Sequence, residues 1–255
     1  MDPLLEGYRK FRAETWPTER ARYEALAHWG QSPDTMIIAC SDSRVDPQTI
    51  FGAVPGEMFI VRNVAALVPP YEPDAAGHHG TSAAIEFGVR VLKVSRLVVL
   101  GHAQCGGVRA MAYGAPPQAR DFVAAWTDIG KPALAKAGGG DAPGALSQAE
   151  AEVVRLSLAN LMGFPWIQQA VDDGRLAVQG YIFDIHNGVL SHVTADTVQP
   201  VESGARETSC RGRPSGRPPG PRARSSGPIS RRSFSACSPG GATCAGSVRG
   251  KSPRR

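Results

Sequence analysis

Two patterns alternate along the chain. Apolar runs at 35–39, 57–65, 97–101 and 176–185 are short and rich in Val and Ile, and they predict buried strands. Between them lie stretches with apolar residues three and four apart, which predict helices. Asp2 to Trp16 and Pro17 to Trp29 read as two helices, with Pro17 opening the second. Leu4, Leu5, Tyr8 and Phe11 form an apolar stripe on the first, as core packing would require. Thr81 to Lys93 is a helix with Ile85, Val89 and Leu92 inward, and it completes a right-handed strand–helix–strand unit. A further helix starts near Cys105 and runs to Tyr113. Asp121 to Ala137 is helical with a break at Pro132. Ser147 to Met162 is a strong helix, where Ser147 and Glu150 match a capping box. Pro165 to Asp173 is a short helix, and His186-Asn187-Gly188 turns the last strand back into Val189 to Thr194. Strands alternating with helices predict an α/β fold, a mainly parallel sheet flanked by helices.

Composition changes this picture at one place. Twelve of the 28 basic residues, but one of the 23 acids, lie from Ser203 onward, a net charge of about +11. The preceding part carries sixteen against 22, about −6. Residues 1–202 therefore read as one mildly acidic domain, and residues 203–255 as an Arg/Pro/Gly/Ser-rich tail too poor in apolar residues to fold. Such a tail attracts polyanions by charge alone. It has no recognition motif and one aromatic, Phe234, so no specific nucleic-acid partner is expected. No apolar run approaches the roughly 20 residues of a membrane span, and the N-terminus lacks a signal-peptide pattern. A cytoplasmic protein with no membrane partner is the expectation. Three of the five cysteines, Cys210, Cys237 and Cys244, fall in the tail, an odd count that suggests no disulfide framework.

The candidate chemistry sits at two strand ends. Cys40, Asp42 and Arg44 occupy alternate positions just after the 35–39 run, and His102, Cys105, Gly106 and Gly107 follow the 97–101 run as H-x-x-C-G-G. Carboxyl ends of parallel strands are where open α/β sheets bind ligands. Adjacent strands would bring Cys40, His102 and Cys105 together. Two thiolates and one imidazole are a zinc ligand set, and three protein ligands with an open fourth position mark a catalytic site. Asp42 and Arg44 are close enough for a charge-assisted pair that keeps the carboxylate ionised and fixed in direction. The plainer alternative is two buried cysteines and a core histidine. A thiol redox pair is a third, disfavoured by the absence of C-x-x-C. The adjacent His78 and His79 read as part of a solvated loop, 71–80, and Arg62 as a solvated charge.

These motifs resemble the β-class carbonic anhydrases. The likeness lies in C-S-D-S-R-V (40–45), P-G-E-M-F-I-V-R-N-V-A (55–65), G-T-S-A-A-I-E-F (80–87) and G-H-A-Q-C-G-G (101–107), and it spans about Gly30 to Gly188. Leu67 to Tyr71 and Asp121 to Pro132 look most like the plant-type branch. The resemblance implies a β-carbonic anhydrase-like fold whose N-terminal helices serve dimerisation, as a homodimer or a higher homo-oligomer. It implies one Zn2+ per chain on Cys40, His102 and Cys105. The activity implied is reversible hydration of carbon dioxide to bicarbonate and a proton, by zinc-bound hydroxide that Asp42 and Arg44 orient. It places the Gln31 amide and a backbone N–H near Gly106 on the substrate oxygens, and Phe59, Val64 and Phe87 around the CO2 pocket. Family members also adopt a closed state in which the residue matching Asp42 becomes a fourth metal ligand and its Arg is released. In another branch an Arg matching Arg62 binds regulatory bicarbonate with a Trp and a Tyr; Ile37 and Phe183 stand at those two places here. A bicarbonate sensor, or hydrolysis of carbon disulfide or carbonyl sulfide on the same fold, are the neighbouring readings.

Overall fold

A computed structural model describes residues 2–73, 77, 79–139 and 144–202. The tail 203–255, His78 and the middle of the Gly-rich 137–144 stretch lie outside the described residues. Six strands form one sheet: β1 (Thr35–Cys40), β2 (Met58–Asn63), β3 (Arg96–His102), β4 (Ala177–Asp184), β5 (Val189–Val193) and β6 (Val198–Pro200). Their order is β2-β1-β3-β4-β5-β6. The first four are parallel and the last two antiparallel. β6 is short and exposed and carries no pattern that sequence reading would notice.

β1 is unbroken in its apolar run because it is buried on both faces. Met36, Ile38 and Cys40 point into the larger core with Leu97 and Val99, under the helices. Ile37 and Ala39 point the other way, against Val45, Ile50 and Phe51. The longest helix, α8 (Ala145–Met162), lies across β3 and β4. It comes so close that a Cβ at Gly101 or Gly180 would fall 2.6 or 2.8 Å from Val154. The two glycines are what let the helix settle on the sheet.

The N-terminal segment differs from two separate helices. α1 (Pro3–Lys10) runs through a π-helical turn at Phe11–Thr15 straight into α2 (Trp16–Trp29). The Trp16 N–H reaches back five residues to Phe11, and the widened turn accommodates Pro17, which has no N–H to give. Nothing in this segment is buried, and Leu4, Leu5 and Tyr8 are 82%, 52% and 59% exposed. The stripe is therefore not core within one chain. The chain after β1 is not all loop: Asp46 accepts from the Thr49 N–H at 3.0 Å and caps α3 (Pro47–Phe51).

The predicted 81–93 helix is α4 (Gly80–Glu86) followed by a π-helical turn, Phe87–Val91. α5 (Gly106–Tyr113) starts just after Cys105. In the 121–137 region the break falls at Ile129–Gly130, between α6 (Val123–Asp128) and α7 (Lys131–Lys136). Pro132 sits in the first turn of α7, where its missing N–H costs nothing, so it opens a helix rather than breaking one. The capping box at Ser147 is absent. α8 starts at Ala145 on a left-handed Gly144, with no side-chain cap, and Glu150 is used elsewhere. α9 (Pro165–Asp172) then leads into β4. No helix among the described residues is long and apolar enough to cross a membrane.

Candidate metal centre

β1 and β3 are hydrogen-bonded neighbours, so their carboxyl ends meet. Cys40 is the last residue of β1, His102 the last of β3, and Cys105 precedes the first turn of α5. All three are buried, and their ligand atoms lie within 4.8 Å of one another. The two Sγ atoms are 3.9 Å apart. Two sulfurs about 2.3 Å from one tetrahedral ion would stand about 3.8 Å apart, so the spacing fits a cation. His102 fits too. Its Nδ1 is 2.8 Å from the Ala103 carbonyl, which sets that nitrogen as the N–H and leaves Nε2 its lone pair. Nε2 is fully buried with no hydrogen bond, the one such side-chain atom among the described residues. A buried acceptor without a donor is costly unless a metal completes it.

The electrostatics agree. The hydrogen bond shared by the two thiols pulls Cys40 well below its ordinary range, against burial, and together with burial pushes Cys105 up. One negative charge is easy to place on the pair and a second needs a cation. Burial pulls His102 down, but the Cys40 sulfur, the Ala103 carbonyl and the Asp42 carboxylate carry it above its ordinary value.

Asp42 stands over this face, its Oδ2 3.8 Å from His102 Nε2. Arg44 grips it with Nε on Oδ1 at 2.9 Å and Nη2 on Oδ2 at 2.7 Å, and the Arg44 backbone N–H adds a third bond at 3.0 Å. That side chain holds Asp42 far below the usual carboxylate range. Arg44 Nη2 also reaches the Gln104 carbonyl at 3.1 Å, tying the two strand-end loops together. Gln104 is in the left-handed region (φ 57°), uncommon for a residue with a side chain, so the 102–105 turn holds strain at the site. Both oxygens of Asp42 are engaged by Arg44, so the arrangement described is the paired one, not the closed one.

One residue of the site escaped sequence reading. Glu150, on α8, is 6% exposed and accepts from the Cys105 N–H at 2.9 Å. Burial raises its pKa, and the amides of Cys105 and Gln104 and the His102 charge oppose that rise. Its one sequence signal is an acid on the inner face of an apolar helix, which also matches a capping box with Ser147. Arg62 is exposed as expected, but its guanidinium is also spent on the loop that follows Cys40.

The expected substrate-side residues separate into two groups. Gly106 opens α5, and Val64 packs on it so closely that a Cβ at Gly107 would meet Val64 and Ala65 at 2.8 Å. Val64 and Gly106 share a cleft of about 320 Å³ beside the cluster. Phe59 and Phe87 stack on each other at 5.8 Å, but Phe59 pairs with Met36, four residues before Cys40 on the sheet. Gln31 is exposed in the link between α2 and β1. One chain thus brings Cys40, Asp42, Arg44, His102, Cys105, Gly106 and Val64 together, and leaves Gln31, Phe59 and Phe87 apart from them.

The carbonic anhydrase family model matches residues 35–190. That range takes in the whole cluster. The chain belongs to the β-class carbonic anhydrases. It is 34% identical over 200 residues to the chloroplastic β carbonic anhydrase 5 of Arabidopsis thaliana, covering 76% of this chain and 65% of that protein's length. A carbonic anhydrase of Pseudomonas aeruginosa is also 34% identical, over 191 residues, 74% of this chain and 85% of the relative. Among solved structures, the β-carbonic anhydrase CcaA superposes with a TM-score of 0.69 at 28% identity, covering 80% of this chain and 92% of that one. One of two tetrameric β-carbonic anhydrases of Sordaria macrospora gives 0.65 at 27% identity, covering 74% and 94%.

Proposed function

We propose that this chain is a zinc enzyme catalysing the reversible hydration of carbon dioxide to bicarbonate and a proton. The observation that carries the reading is the buried, bond-free Nε2 of His102 facing two thiols, with an Arg-held carboxylate across it. Zn2+ suits two sulfurs and one imidazole, and when bound it supplies a Lewis acid that lowers the pKa of a water from about 15.7 toward about 7. Cys40, His102 and Cys105 would hold it, one ion per chain. Asp42 can only accept while ionised, so it takes a hydrogen bond from the attacking oxygen and turns the free lone pair toward CO2. Arg44 keeps Asp42 ionised and aimed. The N–H of Gly106, at the start of α5, is suited to the charge that develops on bicarbonate. Val64 keeps the CO2 side apolar.

The same reading assigns catalysis to residues 1–202, since β6 ends at Pro200 and the family match ends at residue 190. It also makes the enzyme a homo-oligomer. Gln31, Phe59 and Phe87 lie away from their own chain's cluster, and the N-terminal helices carry an exposed apolar stripe. A second copy would cover the stripe and bring those residues to a cluster, and the Sordaria relative is named as a tetramer.

Stopped-flow CO2 hydration at pH 8.5 tests the proposal. Zinc-loaded protein should hydrate CO2 far above the buffer rate, and Asp42→Ala should keep its zinc yet lose roughly 100-fold in kcat. Zinc-loaded protein at the buffer rate would refute it.

A further inference from the structure

The loop 41–46 carries the reactive carboxylate, and its backbone is gathered around the guanidinium of Arg62. Arg62 lies on β2, opposite Ala39 in the parallel register. Its Nε donates to the Cys40 carbonyl at 2.9 Å, and its Nη2 donates to the carbonyls of Asp42 at 2.7 Å and Val45 at 2.8 Å. Nη1 stands 3.8 Å from Asp46 Oδ1. Three backbone oxygens of one short loop thus point at one guanidinium, which a planar five-donor fork can satisfy and few other groups can. Besides the cap that Asp46 gives α3, two other ties leave the loop, from the Ser41 N–H to the Asn63 carbonyl on β2 and from Arg44 Nη2 to the Gln104 carbonyl. The Val45 N–H bond to the Asp42 carbonyl and the Arg44 bonds to the Asp42 carboxylate lie within the loop, so they shape it without fixing it to the sheet.

We propose that Arg62 is a positioning residue, which clamps the Cys40–Asp46 loop to β2 and so aims Asp42 at the metal face. The proposal builds on the CO2 hydration reading for its activity arm, whereas its backbone arm does not need that reading. Arg62 touches neither the metal ligands' side chains nor the carboxylate of Asp42; it acts through the backbone carbonyls of Cys40, Asp42 and Val45. It also follows that Nε and Nη2 of Arg62 are committed to backbone carbonyls.

Two readouts on the full-length, zinc-loaded protein test the clamp. Hydrogen–deuterium exchange over 41–46 should quicken by about tenfold or more in Arg62→Met, with Arg62→Lys in between, since Lys can satisfy fewer of the three carbonyls. In CO2 hydration, Arg62→Met should lose roughly tenfold or more in kcat with KM nearly unchanged, and Arg62→Lys should recover part of it. Combined with Asp42→Ala, Arg62→Met should cost almost nothing further, because the group it positions is gone. Equal exchange over 41–46 in all three proteins would overturn the clamp, as would a full additional loss of kcat in the Asp42→Ala background. If Arg62→Met does not fold, Arg62→Lys alone decides, and wild-type exchange and kcat in that variant would overturn the proposal. Wild-type protein without CO2 hydration but with faster exchange in the variants would instead sink the activity and leave the clamp standing.

Discussion

Glu150 is a carboxylate almost wholly removed from water, and it spends that burial on the backbone amide of a metal-ligand residue. Deleting it would strand a buried N–H and leave a hole behind Cys105. Glu150→Ala should therefore cost about 1–3 kcal/mol in denaturant unfolding and roughly 10–100-fold in zinc affinity. Glu150→Gln keeps an acceptor oxygen and should cost less on both counts, and equal losses in the two variants would contradict this role. The residues legible in the sequence were those whose chemistry is local. Cys40, Asp42 and Arg44 share one strand end and His102 and Cys105 another, so spacing alone groups them. Glu150 meets Cys105 across 45 positions, and helical periodicity says which face it lies on, not what it touches. Arg62 was hidden for the same reason: a free surface charge and a charge bonded to backbone carbonyls look alike in one dimension.

At the scale of elements, β1 and β3 were the plainest runs because strands buried on two faces have few polar positions to blur them, whereas half-buried β2 and β4 admit Arg62, Asn63 and Gln179. Turn-level chemistry was harder. Pro132 opens α7 where a break was expected, and the short α3 capped by Asp46 has no counterpart in the sequence reading. The Asp46 cap carries its own pH signature. Bonds from the Thr49 hydroxyl and N–H lower the Asp46 pKa, with Arg62 helping. A carboxylate with a depressed folded pKa contributes stability above its unfolded value, near 4, and loses it as pH falls through the folded one. Asp46→Ala should lower Tm at pH 7 by an amount worth about 1 kcal/mol, and the gap from wild type should close as pH drops below about 4. A gap that stays constant down to pH 3 would contradict the cap.

For the molecule as a whole, the parallel sheet delivers two loops to one edge, and α8 seals that edge from behind through its close approach at Gly101 and Gly180. The strongest departure from sequence expectation is also at this scale. A stripe that reads as core is exposed in one chain, because an apolar face says only that something covers it. Light scattering should find a dimer or a multiple of it, and Leu4→Asp with Leu5→Asp should shift it toward monomer; a monomeric wild type would contradict the assembly. The central claim is that one ion on Cys40, His102 and Cys105 makes the enzyme. Its most direct test is a zinc titration of metal-free protein with CO2 hydration read at each step. The rate should rise in proportion to zinc and level off at one ion per chain, and His102→Ala should show no such rise. Hydration that is already full without zinc, or that rises equally in His102→Ala, would contradict it.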